Sequence, residues 1–174
     1  MRVEPVTWSL GYRDYWGTAV TAFEVLTPHE ELSVISSATV ELFDAVAVDD
    51  TDTGHGATGP SWADLGAAEF GDTWHELLVQ TPLTDPPDDV VARARQLAAG
   101  APPAEAAFAV AGDLASALTY EPGVTSVRTP ATEVWTARRG VCQDFAHLTI
   151  GALRAVGIPA RYVSGYLHPR PDAP

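Results

Sequence analysis

Cys142, the only cysteine of this 174-residue chain, stands directly before an amphipathic helical repeat. Apolar or small side chains recur after it at helical spacing; they are Phe145, Leu148, Thr149, Ala152, Leu153 and Val156. Gly157 follows and then Ile158-Pro159, and glycine with proline just past a helix is a typical end signal. The pattern predicts a helix from Cys142 to Gly157. We expect the thiol to face the core at the tip of this helix, where a following sheet would close over it.

A thiol at a helix start can act as a nucleophile. The first backbone N–H groups of a helix have no partner within it, and the helix dipole is positive there. Both favour a thiolate and the oxyanion formed when it attacks a carbonyl. Arg138 and Arg139, just upstream, are expected to favour the thiolate too, whereas Asp144 opposes it by like charge and caps the first helical turn. A small buried hydrophobe is the alternative interpretation of a single cysteine.

Two runs of sequence around Cys142 resemble the bacterial transglutaminase-like family, whose members include cysteine proteases. One run is Arg-Gly-Val-Cys-Gln-Asp at residues 139–144, and the other is Gly-Ile-Pro-Ala-Arg-Tyr-Val-Ser-Gly-Tyr at residues 157–166. They recur together at this separation in the family, and the similarity extends over residues 62–167. The resemblance implies an α+β fold with a papain-like transglutaminase core. In such a core the cysteine lies at the N-terminus of a helix packed on an antiparallel sheet.

The resemblance also implies a Cys-His-Asp triad, of which it carries over Cys142 alone. In the family the His and Asp lie on two strands after the Ser-Gly-Tyr segment, here residues 164–166, so we expect a core truncated before them. His147 lies five residues beyond Cys142, which on one helix rotates it by roughly 140° and points it away. His168 follows a predicted strand at 160–167 and is the better base by geometry, although Pro169 restricts its backbone.

Composition excludes several other classes of function. A net charge of -13 argues against nucleic acid and anionic membrane surfaces as partners. The chain has neither lysine nor asparagine, which excludes a Schiff-base lysine, a P-loop lysine and a Cys-His-Asn triad within it. One cysteine and no closely spaced histidine pair give no support to a metal site, and no cofactor is expected. The N-terminus lacks an apolar signal region, which predicts a cytoplasmic location.

The chain is expected to fall into three parts. Residues 1–48 are predicted to be the C-terminal part of a β-rich N-terminal domain, 49–60 a linker, and 61–174 the truncated core. Residues 18–25 and 32–42 are β-branched and partly alternating, and are predicted to pair as strands. The aromatic residues upstream show neither a helical nor a strand period; they are Trp8, Tyr12, Tyr15 and Trp16.

Helices are predicted through the middle of the chain. Ser61 and Asp64 form a capping box, and a helix from Pro87 is closed by Gly100. Residues 103–118 form another helix. A short helix is then capped by Thr129, with Pro130 at its first position and Arg138 and Arg139 in its last turn.

The complete protein is therefore expected to be a thiol enzyme that cleaves or exchanges amide or peptide bonds through a Cys142 thioester, with a peptide or protein as substrate. This chain alone is expected to be inactive. Two alternatives stay open: a non-catalytic fold that binds peptides or proteins, and half of an assembly that receives His and Asp from a second chain. The edge of the predicted 160–167 strand would permit self-association.

Overall fold

The computed structural model describes residues 1–39 and 59–165. The chain divides into two compact units, Met1–Ala47 and Val48–Pro174. No helix in the described residues has both the length and the apolar character needed to cross a membrane.

The first unit contains two antiparallel strand pairs. The inner pair joins β2 (Trp8–Arg13) to β3 (Ala19–Glu24), and the outer pair joins β1 (Arg2–Glu4) to β4 (Ser33–Ile35). The turn of the inner pair is closed by Asp14, whose carboxylate accepts from the N–H groups of Trp16 and Thr18 at 2.9 and 2.8 Å. Such a side-chain-closed turn is typical of aspartate.

Both predicted strands of this unit exist in its described part, but their predicted pairing is wrong. Each pairs with a strand upstream of it, because the Asp14 turn closes β3 onto β2 locally. Residues 40–42 of the predicted second strand lie outside the described residues. The prediction that Trp8 and Tyr12 follow no strand period is also wrong, since both lie in β2 and alternate with Ser9 and Gly11.

The second unit is mainly helical. Its described elements are, in chain order, α1 (Trp62–Leu65), α2 (Ala68–Thr73), α3 (His75–Leu78), α4 (Asp88–Ala98), α5 (Pro103–Ala117), β5 (Thr119–Tyr120), α6 (Ala131–Ala137), β6 (Arg139–Gly140) and α7 (Cys142–Ala155). The short strands β5 and β6 run parallel to each other. With the strand pairs of the first unit, these elements confirm the predicted α+β fold class.

The core lies where α4, α5 and α6 pack around α7. Each helix presents apolar side chains at spacings of three or four residues, so that they line one face. The buried cluster is Val90, Ala94, Val110, Leu114, Leu118, Ala131, Val134, Trp135, Leu148 and Ala152. Full burial of one valine or leucine side chain contributes about 1.5–3 kcal/mol, so this cluster is the main support of α7.

A predicted start or end is confirmed for each of four helices. At α1, the Ser61 hydroxyl accepts from the N–H of Asp64 at 3.2 Å, and Asp64 Oδ2 accepts from the N–H of Ser61 at 2.8 Å. Hydrogen bonds from Ser61 lower the pKa of Asp64. Helices α4 and α7 end just before Gly100 and Gly157, which have positive φ of 82° and 84°. Helix α5 begins at the predicted Pro103.

Three local predictions are wrong. Thr129 does not cap α6: its hydroxyl accepts from the N–H of Ser126 at 2.9 Å, and Pro130 is the N-cap residue. Arg138 and Arg139 lie beyond the last turn, one as the C-cap residue and the other in β6. Residues 160–165 are not a strand, because no strand among the described residues pairs with them. Residues 166–167 lie outside the described range, and self-association through this edge stays a prediction.

Candidate active site

Cys142 is the first residue of α7, as predicted, and its side chain is exposed. The prediction that the thiol faces the core is wrong for the described structure. Asp144 explains the difference: it lies two residues further along, which is about 200° around the helix, and it is fully buried. The first turn therefore turns Asp144 inward and Cys142 outward.

Two backbone donors accompany the thiol. The N–H groups of Asp144 and Phe145 both donate to the carbonyl oxygen of Val141, at 2.9 and 3.2 Å. The N–H groups of Cys142 and Gln143 have no acceptor among the described residues. Free donors at the positive end of a 14-residue helix form a suitable environment for a negative oxygen atom.

The side chain of Asp144 forms hydrogen bonds that hold the backbone where α7 begins. Its Oδ2 atom accepts from the N–H of Val141 at 2.7 Å and from the hydroxyl of Thr125 at 2.6 Å. The first of these bonds is the N-terminal capping expected of this carboxylate. The other oxygen, Oδ1, is buried and has no hydrogen-bond partner among the described residues. A Cβ atom at Gly140 would lie 2.6 Å from Oδ2, so the carboxylate fits only beside glycine.

Arg138 and Arg139 are both engaged with groups other than the thiol. The guanidinium of Arg138 lies 3.3 Å from the ring centroid of Trp135 and 3.9 Å from Oδ2 of Asp89. Arg139 lies 3.6 Å from a carboxylate oxygen of Glu121. Because each cation is near a carboxylate of its own, the support that they were expected to give the thiolate is reduced.

His147 is half-buried on α7 and packs against Tyr162, with ring centroids 5.5 Å apart. Its Nδ1 atom is buried without a hydrogen-bond partner among the described residues. Burial lowers the pKa of His147, and the charge of Asp144 acts in the opposite direction. That His147 points away from Cys142 stays a prediction.

Two further histidines lie among the described residues. His29 lies near the carbonyl of Thr27, and His75 is the first residue of α3. His55 and His168 lie outside the described residues, so the expectation for His168 is untested. Across residues 1–39 and 59–165, no group of three or more His, Cys, Asp or Glu side chains could hold a metal ion.

Two residues of the site were missed from the sequence. Thr125 lies 19 residues before Asp144, and nothing local marks their contact. Gly140 did carry a signal, because a glycine just before a helix start suggests close approach of another group.

A family model and uncharacterized relatives match this chain. Residues 91–173 match the family model of the "Transglutaminase-like superfamily". An uncharacterized protein of Mycobacterium leprae is 42% identical over 174 residues, covering 99% of this chain and 60% of the relative. An uncharacterized protein of Mycobacterium tuberculosis is 36% identical over 160 residues, covering 89% of this chain and 49% of the relative. This chain thus spans about half of the length of these relatives.

A solved structure is similar as well. It is the crystal structure of a "Putative Cysteine Protease" from Cytophaga hutchinsonii, with 27% identity and a TM-score of 0.45. The match covers 50% of this chain and 30% of that one.

Proposed function

We propose, from the match of residues 91–173 to the family model of the transglutaminase-like superfamily, that Cys142 is the nucleophile of a thiol enzyme that cleaves or exchanges amide bonds. The observation that carries the proposal is the placement of the thiol. Cys142 is exposed at the first position of α7, next to N–H groups that have no acceptor in the described part of the chain. A nucleophile and its oxyanion donors are thus on the same helical turn.

The chemistry follows from this arrangement. The thiolate sulfur attacks the carbonyl carbon of a carboxamide or peptide, and the electron pair of the C=O bond moves to oxygen. The oxyanion lies at the helix start, where the N–H groups of Cys142 and Gln143 can donate to it. Collapse expels the amine, which takes a proton, and leaves an acyl thioester on Cys142. Water or a second amine then attacks the thioester, giving hydrolysis or amide exchange and returning the thiolate.

Proton transfer needs a base that the described residues do not supply. No histidine among them forms a hydrogen bond with Cys142. By resemblance, a later His shuttles protons and an Asp orients it, both on strands after residues 164–166. We therefore assign turnover to a protein in which those strands are present.

A second candidate is a transglutaminase-like fold that binds peptides or proteins without catalysis. The lack of a histidine bonded to Cys142 among the described residues favours it. The two candidates differ in what they require of the thiol. An enzyme needs Cys142 as a nucleophile, whereas a binding module does not depend on it.

The test uses the chain extended at its C-terminus to the length of its mycobacterial relatives. Peptide cleavage, and incorporation of dansylcadaverine into a glutamine-containing peptide, would be measured for the extended protein and for its Cys142→Ala and Cys142→Ser variants. We expect both variants to lose activity by a factor of about 10⁴ or more, because the covalent step is removed. Activity that survives Cys142→Ala would contradict the nucleophile assignment, and binding without activity in the parent protein would favour the second candidate.

A further inference from the structure

The peptide group that carries the N–H of Cys142 is held from its other end. The carbonyl oxygen of Val141 belongs to the same planar peptide unit as that N–H, and it accepts from the N–H groups of Asp144 and Phe145. In a trans peptide the C=O and N–H point in opposite directions. Fixing the carbonyl inside the first turn therefore fixes the direction in which the N–H of Cys142 points outward.

The preceding peptide group is held at both ends. The carbonyl oxygen of Gly140 accepts from the N–H of Glu121 at 2.9 Å, and the N–H of Val141 donates to Oδ2 of Asp144 at 2.7 Å. Of the four polar backbone atoms in the two peptide units before Cys142, three therefore form hydrogen bonds, and the fourth is the N–H of Cys142. Asp144 takes part in both, through its backbone N–H in one and its carboxylate in the other.

Thr125 fixes the carboxylate in turn. Its hydroxyl donates to the same Oδ2 atom at 2.6 Å, from a segment that precedes α6. Oδ1 of Asp144 meanwhile stays buried with no partner among the described residues, which is an unfavourable arrangement for a fully buried side chain. Oδ2 thus accepts both hydrogen bonds while Oδ1 accepts none. This arrangement fits a carboxylate whose role is to hold the N–H of Val141 in place.

We infer that Asp144 and Thr125 are positioning residues that aim the N–H group of Cys142 at the oxyanion. This inference rests on the proposed function. It implies that loss of either residue impairs attack on a carbonyl, which forms an oxyanion, more than it impairs displacement at a saturated carbon, which forms none. The distinction separates aiming of the donors from general reactivity of the thiol.

The experiment compares two reactions of Cys142 in the 174-residue chain. p-Nitrophenyl acetate acylates the thiol: sulfur attacks the ester carbonyl, an oxyanion forms, and p-nitrophenolate leaves with the electron pair of the broken C–O bond. Iodoacetamide alkylates the thiol by displacing iodide, without an oxyanion. The ratio of the two rate constants, normalised to glutathione under the same conditions, reports the contribution of the oxyanion donors independently of how nucleophilic the thiol is.

We expect Asp144→Asn and Thr125→Val to lower this ratio about tenfold without lowering the alkylation rate by more than about twofold, since misplaced donors lose much of their effect. Asp88→Asn and Thr132→Val are the matched controls, because both residues are exposed near the starts of other helices, and they should leave the ratio unchanged. If Asp144→Asn does not fold, as judged by circular dichroism, Thr125→Val decides alone.

The outcomes separate the inference from the proposed function. A ratio above that of glutathione in the parent chain, unchanged in both variants, would overturn the positioning role and leave the oxyanion site in place. Acylation and alkylation falling in parallel would also overturn it, since that is what a structural disturbance of the thiol produces. A parent ratio equal to that of glutathione would contradict the proposed oxyanion site itself.

Discussion

Gly151 of α7 packs against the backbone of Thr84 so closely that a Cβ atom at residue 151 would lie 1.7 Å from the Thr84 carbonyl oxygen. The contact is reinforced on both sides. The Gln80 amide donates to the carbonyl of Gly151 at 2.7 Å, and the Thr84 hydroxyl donates to Oε1 of Gln80 at 3.1 Å. The loop before α4 is thereby fastened to the helix that carries Cys142.

Gly151→Ala is therefore expected to destabilise the protein strongly. The obstacle is backbone, which cannot move aside as a flexible side chain would, so we expect a loss of about 3 kcal/mol or more in the free energy of unfolding. Urea unfolding followed by tryptophan fluorescence would measure it. Gly112→Ala is the matched control: apart from the backbone of α5 itself, no atom lies within 4 Å of its added Cβ, so the free energy of unfolding should rise by about 0.5–1 kcal/mol. Equal effects of the two substitutions would contradict the contact.

Arg138 ends α6 in a left-handed conformation, with φ of 58°. Glycine adopts this conformation without cost, whereas alanine loses about 1 kcal/mol there. Both substitutions remove the stacking on Trp135 equally. We therefore expect Arg138→Gly to be more stable than Arg138→Ala by about 1 kcal/mol, as measured by thermal unfolding.

The neighbouring residue provides the control for this ranking. Arg139 lies in β6 and has no positive φ, so alanine should be the better replacement there, by about 0.5–1 kcal/mol. The opposite order of glycine and alanine at the two positions is the expected result. The same order at both would show that the conformation of Arg138 does not determine its preference.

The predictions that succeeded rest on local signals. Side-chain period located α7, and Gly157 marked its end, because both depend on residues within a few positions of each other. The Ser61–Asp64 capping box is equally local. That Cys142 is a nucleophile and not a buried hydrophobic residue came from the transglutaminase-like resemblance, and it stays a prediction.

The predictions that failed depend on contacts between residues far apart in the sequence, or on which of two groups occupies the same position in the fold. The exposure of Cys142 follows from Asp144 occupying the inner face of the same turn, and the partner that holds Asp144 there is Thr125. The pairing of β3 was set by the turn at Asp14, which competed with a pairing further along the chain. The helix pattern is compatible with Cys142 facing either inward or outward, and the strand pattern is compatible with either partner for β3. The patterns alone therefore could not distinguish these structures.

Arg154 connects the end of α7 to the segment that follows. Its Nε and Nη2 atoms donate to the carbonyl of Ala160 at 3.0 and 2.6 Å, and Nη1 donates to the carbonyl of Val79 at 2.6 Å. Burial lowers its pKa. Lysine keeps the charge but cannot direct donors to both carbonyls, so Arg154→Lys should cost about 1–2 kcal/mol in urea unfolding. Arg95→Lys, at an exposed position of α4, should change stability by less than about 0.5 kcal/mol.

His147 should make the stability of the helical unit dependent on pH. Its folded-state pKa is lowered by burial, against the opposing charge of Asp144, so below the ordinary value of 6.5 the unfolded chain binds more protons than the folded chain. Stability is then fully retained above pH 6.5 and declines as pH falls from there through the lowered folded-state pKa. Thermal unfolding between pH 7.5 and 5 should show a smaller decline for His147→Gln than for the parent chain. His75→Gln, at an exposed position of α3, should follow the parent curve; a parent-like curve for His147→Gln would instead assign the decline to other groups.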